Sequence, residues 1–130
     1  MNARDTLTAY ADGRLAASEL LRAIVEAADW RVAAAIDGEG NARPRPLPDR
    51  EGALWLNLFS DLPAQRRFEA RYGRPLDRVL VLSGRAVLRG LPDDIAGLNL
   101  DPFAPWALHY RRDSFSALRA AAAAGANEQS

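Results

Sequence analysis

The run Leu54-Trp55-Leu56-Asn57-Leu58-Phe59 constrains this chain more than any other segment. Alternate side chains of a strand point to opposite faces; here Leu54, Leu56 and Leu58 fall on one face, Trp55 and Phe59 on the other. A strand apolar on both faces belongs in the interior of a sheet. Behind it come Ser60 and Asp61, good N-cap residues, and Pro63, suited to a first helical turn. The pattern predicts a helix from there to Tyr72, with Phe68 and Tyr72 one turn apart and facing the sheet, and Gly73 ending it.

The remaining segments follow the same two periodicities. Leu7 and Tyr10 predict a short turn broken at Asp12-Gly13, and Leu20, Leu21, Ile24, Val25 and Ala28 a helix with Ser18 as its start signal. Trp30, Val32, Ala34 and Ile36 alternate as a strand over 30–36, followed by a turn cluster at 37–41. Prolines 44, 46 and 48 remove ladder donors, so residues 43–48 are expected as an edge segment or extended loop. Further strands are expected at 78–82, 95–100 and 106–110, with a short Ser83-capped helix through Arg89 between the first two. Asp113 or Ser114 opens a last helix carrying Phe115, Leu118 and Ala122, with Gly125 as its stop signal. Without strict βαβ alternation this predicts one α+β domain, with a mixed or antiparallel sheet of about five strands and helices mainly on one side. That domain covers residues 1–125, and residues 126–130 are expected to fray. Trp30, Leu54, Leu56, Leu58, Phe68, Val79, Val81, Leu98, Leu108, Phe115 and Leu118 are the expected core.

At 130 residues the chain is long enough to bury a core without disulfides. Its 17 basic residues, all arginine, balance 17 acidic ones. That argues against nucleic acid, whose binders carry a basic excess. The first residues lack the apolar stretch of a signal peptide, and the alanines at 120–124 fall far short of the roughly 20 residues needed to span a bilayer. A cytoplasmic protein with no membrane association is expected. No cysteine and a single histidine exclude thiolate chemistry, cysteine-ligated metals and most base catalysis.

No motif restores that chemistry. His109 lies between Leu108 and Tyr110, points away from them, and reads as a structural or solvent-edge histidine with no metal-ligand spacing around it. Ser60 and Ser83 have helix-capping roles and no Gly-x-Ser-x-Gly elbow. The 37–41 turn departs from a calcium loop at Ala42 and Pro48, and Asp93 and Asp94, adjacent on extended chain, point apart. No catalytic, cofactor or metal residue is expected. What remains is a surface. Arg67 and Arg71 share a helical face, and Trp106 beside a proline-bracketed loop supplies an aromatic anchor. Arginine and tryptophan dominate binding energy at interfaces, so Arg67, Arg71 and Trp106 form the expected partner surface, with another protein as partner. A solvated face paired with Glu69, Asp77 and Asp113 is the competing account.

Segment 54–61, a strand ending in Phe-Ser-Asp before a helix, resembles the amino-terminal domain of the SseB family. Ala96-Gly97-Leu98-Asn99-Leu100-Asp101-Pro102 is similar to that family's Gly-Leu-x-Leu-Asn-Pro strand end, and residues 79–85 fit its layout between the two. The resemblance spans Leu15 to Leu118. It implies the fold and brings no catalytic residues. Asp101 stands where the family usually has asparagine; it preserves a turn-organising role, since both side chains bond nearby backbone, but alters any ligand contact. The expectation is a non-catalytic bacterial binding or interaction module. The rival is a small enzyme acting on an acidic or phosphorylated small molecule through carboxylates and arginines.

Overall fold

A computed structural model describes residues 1–128, with side chains described through residue 124. The elements run α1 (Ala3–Ala11), α2 (Ala17–Glu26), β1 (Trp30–Ile36), β2 (Ala42–Pro44), β3 (Leu47–Pro48), β4 (Leu54–Phe59) and α3 (Leu62–Tyr72). They continue with β5 (Val79–Leu82), α4 (Gly84–Arg89), β6 (Gly97–Leu100), β7 (Leu108–Arg111), a 3-10 turn (Arg112–Ser114) and α5 (Phe115–Glu128). The fold is α+β with a mixed sheet.

β4 is central, as its two apolar faces require. One edge pairs parallel with β6, Leu56 opposite Leu98, and the other antiparallel with β1, Leu58 opposite Val32. β7 extends the sheet beyond β6 and β5 extends it beyond β1, both antiparallel. The proline segment is extended and pairs on one side only, β2 being the end strand of the order β2-β1-β4-β6-β7 and exposed throughout. The Ala34 N–H donates to the Arg78 carbonyl, while the Ala33 carbonyl accepts from the Arg45 N–H, so β5 and β2 occupy opposite edges of β1. β2 and β3 therefore form a wedge where β1 and β4 diverge, β2 paired with β1 and β3 with β4. Three prolines are tolerated because these pairings last only three and two residues.

The two faces of the sheet are covered unequally. Leu20, Ile24, Val25, Val87, Leu88, Phe115 and Leu118, from α2, α4 and α5, pack with Ala3 and Leu7 of α1 over Trp30, Val32, Leu56, Leu58, Leu98 and Leu100. Full burial of a leucine contributes about 1.5–3 kcal/mol, so this layer dominates stability. It is also tight. The Trp30 indole donates to the Ile24 carbonyl at 3.0 Å, and a Cβ on Gly84 would fall 1.8 Å from that same oxygen. Among the described residues the other face carries one helix, α3, whose Ala64 and Phe68 pack with Phe59, Ala33 and Leu47.

Several expectations need correction. The amino-terminal turn is a nine-residue helix, capped by the Asn2 side chain on the Asp5 N–H and held by burial of Ala3 and Leu7. α2 begins at Ala17 rather than Ser18, because the Glu19 carboxylate reaches back to the Ala16 N–H. Gly125 does not stop α5, which continues to Glu128; a glycine within an alanine-rich helix costs only about 1 kcal/mol. Residues 129 and 130 of the expected tail lie outside the described residues. Leu54 is 40% exposed because it begins β4 at the wedge end, and Val81 is 55% exposed because it sits on an outer strand, on the face opposite the four-helix layer. Val79 and Leu108 are half-buried.

Candidate functional site: a trough on the open sheet face

α3 leaves part of its face of the sheet uncovered. A trough of about 640 Å³ lies there, with Trp55, Asn57 and Asn99 contributed by the strands. Phe68, Arg71 and Tyr72 of α3 and Phe103 also line it, as do residues 47–51.

Strand register builds the floor as two rows. In the first, Trp55 stands opposite Gly97 and Gly97 opposite Arg111. The Trp55 ring occupies the space a side chain at 97 would fill: a Cβ there would meet the ring at 2.3 Å and the Tyr110 carbonyl oxygen at 2.5 Å. Glycine is required for the ring to lie there. The Trp55 indole N–H donates to Asp49 at 3.1 Å. Burial opposes charge on Asp49, but the N–H groups of Glu51, Ala53 and Gly52 and the Trp55 indole outweigh it and hold the carboxyl below its usual value of 3.8.

The second row is polar. Asn57 donates to the Trp55 carbonyl at 3.3 Å and accepts from Asn99 at 3.0 Å, and the Asn99 oxygen lies 2.6 Å from His109 Nδ1. Because the Asn99 amide nitrogen is already donating to Asn57, its oxygen faces the histidine, and Nδ1 must carry the proton. His109 Nε2 is therefore the ring atom available to a ligand, and the ring is exposed. Among the described residues Asn99 is the only side chain hydrogen-bonded to His109.

The loop after β6 shapes the wall. Asp101, Pro102, Phe103 and Ala104 make a turn closed by the Ala104 N–H on the Asp101 carbonyl at 3.1 Å. Proline at the second position and a φ of 73° at Phe103 define type II, whose third position calls for glycine or asparagine. A phenylalanine there is strained, and the strain is not repaid by burial, since Phe103 is 51% exposed. Its ring stacks near Phe68 with centroids 6.1 Å apart, and the Arg71 guanidinium lies 4.9 Å above it.

The expected surface residues separate. Arg71 is exposed and lines the trough. Trp106 is half-buried away from it, beneath the guanidinium of Arg4 at 4.0 Å and that of Arg67 at 5.5 Å, with its indole donating to Asp101 at 2.7 Å. Arg67 Nη1 is buried with no hydrogen-bond partner among the described residues. Trp106 thus does not share a face with Leu108 as a strand residue; β7 begins at Leu108. Of the suggested arginine partners, Glu69 is engaged, accepting from Arg66 at 3.0 Å and from the Leu76 N–H at 2.7 Å. Asp101 is fully buried at φ 47° and accepts from the Ser60 N–H, the Ser60 hydroxyl and Trp106. Its role is to organise the turn, and two carboxylate oxygens suit three donors better than one amide oxygen does.

The trough residues Trp55, Asn57, Tyr72, Asn99 and Phe103 were not singled out as a site from the sequence. The signal for them is register: a polar Asn57 inside an apolar strand, with Asn99 and His109 opposite it, becomes visible only once β4, β6 and β7 are paired. No protein-family model matches the chain. No curated protein and no solved structure matches it either. Among the described residues no helix is long and apolar enough to cross a membrane, and no cluster of three or more histidine, aspartate or glutamate side chains is placed to hold a metal ion.

Proposed function

We propose that the chain is a non-catalytic interaction module of SseB-like type that seats a segment of another protein in the trough over β4 and β6. The observation that carries this reading is Phe103, a half-exposed ring kept in a backbone conformation that favours glycine. Strain of that kind, costing about 1–3 kcal/mol, gathers at ligand clamps. The ring adds little to either core and much to the trough wall. Tryptophan, tyrosine and arginine, the residue types most enriched among binding hot spots, meet in the same trough as Trp55, Tyr72 and Arg71.

A photo-crosslinking amino acid placed at 103, and separately at the exposed Ile36 outside the trough, tests the reading in the native host. Discrete protein adducts from position 103 and none from 36 are expected. Equal labelling from the two positions, or none from 103, contradicts it.

A further inference from the structure

We infer that the segment held by the trough is acidic and aromatic, its carboxylate gripped by Arg71 and its ring stacked on the trough's own rings. This inference rests on the interaction-module reading and adds the chemistry of the partner.

Charge complementarity carries it. Arg71 lies over Phe103 at 4.9 Å, and Arg74, two residues beyond the trough-lining Tyr72, over that tyrosine's ring at 5.4 Å. Neither has a carboxylate within ion-pair distance among the described residues; around α3 the ion pairs are Arg66 with Glu69 and Arg4 with Asp61. A guanidinium held over a ring by its cation–π contact still has N–H groups to donate, so Arg71 is available to a planar anion. The trough's own acids do not fill that role. Asp49 is turned toward the Trp55 indole and the amides of its own turn, and Arg50 and Glu51, adjacent in sequence on that turn, bring one charge of each sign to the trough wall. The aromatic half follows from Trp55, Phe103 and Tyr72, with Asn57 and Asn99 on the trough floor for hydrogen bonds to a segment's backbone. A chain segment fits better than a free small acid, because small-ligand sites enclose about 70–90% of their occupant and this trough is only partly enclosed.

The probe is a fluorescently labelled peptide of alternating glutamate and tyrosine, titrated against the whole protein beside its glutamine–tyrosine counterpart. The acidic peptide is expected to bind about 10-fold more tightly, and Arg71→Gln to remove most of that preference. Arg71→Lys should fall between, keeping charge but losing the fork. Rising salt should weaken the acidic peptide and leave the neutral one unchanged. Thermal unfolding of each variant checks that the fold is intact. Equal binding of the two peptides, or a preference that survives Arg71→Gln, overturns the inference. So does displacement by free 4-hydroxyphenylacetate at the peptide's own affinity, which would make this a small-acid site. Crosslinks from position 103 together with no acidic preference defeat this inference alone; absence of those crosslinks defeats the module reading beneath it.

Discussion

The two faces of this sheet are made from the same strands and behave as different materials. Toward α1, α2, α4 and α5, strand residues are Trp30, Val32, Leu56, Leu58, Leu98 and Leu100, and each is at most 1% exposed. Toward α3, β4, β6 and β7 present Trp55, Asn57, Gly97, Asn99 and His109; side-chain hydrogen bonds link Asn57, Asn99 and His109, and the face is left partly uncovered. A strand's period of two lets one sequence write both surfaces, so the apolar half specifies the fold while the other half is free to carry polar and aromatic groups. Stability belongs mainly to the first face, recognition to the second.

If that division holds, the largest loss should come from the dry face. Leu58→Ala removes a fully buried side chain at the centre of the sheet and should cost about 3 kcal/mol, within the 2–5 kcal/mol of such truncations. Urea unfolding measures it. A loss below about 1 kcal/mol would mean the four-helix layer is looser than its burial implies.

Asp101→Asn probes the hinge between the faces, since Asp101 follows β6 and ties Ser60, at the end of β4, to Trp106. An amide nitrogen would confront at least one of the three donors, for a cost of about 2 kcal/mol. Tryptophan fluorescence should shift as Trp106 loses its partner. A neutral substitution would show that the three donors find other acceptors.

A smaller, pH-dependent effect should arise from α3. Burial alone would raise Glu69, but the Leu76 N–H, Arg66 and Gln65 outweigh it and hold the group below its usual 4.5. A folded-state value below the unfolded one stabilises the protein above pH 4.5, and that contribution disappears as pH falls from there through the depressed value. Glu69→Gln should therefore lower the melting temperature at pH 7, with the gap to wild type closing under acid. A gap that stays constant with pH would assign the effect to packing instead.

The dry face was largely legible in the sequence because hydrophobic periodicity reports burial directly: Leu56, Leu58, Leu98, Phe115 and Leu118 are buried as their spacing predicts. Leu54 and Val81 obey the same period and are exposed, since alternation names a face but not how far the covering layer reaches. The extended, one-sided character of 43–48 was legible from its prolines, but its seating where β1 and β4 diverge was not, because proline says little about pairings of two or three residues. In the trough, Arg71 was legible as a surface arginine, but its setting was not. Asn57, Asn99 and His109 come from three strands and meet only through register. Phe103 lies within the proline-bracketed loop, yet its positive φ depends on the turn type that the Asp101–Ala104 bond closes.

Phe103→Asn tests the division of labour most directly, through urea unfolding curves recorded without and with saturating glutamate–tyrosine peptide. Asparagine accepts the left-handed conformation and removes the ring. The account predicts unliganded stability within about 1 kcal/mol of wild type, since relief of strain offsets the lost contacts. It also predicts that peptide, which raises the wild-type midpoint, leaves the variant's midpoint where it was. A variant that loses stability on the scale of Leu58→Ala yet still gains from peptide would place Phe103 in the fold and remove it from the site.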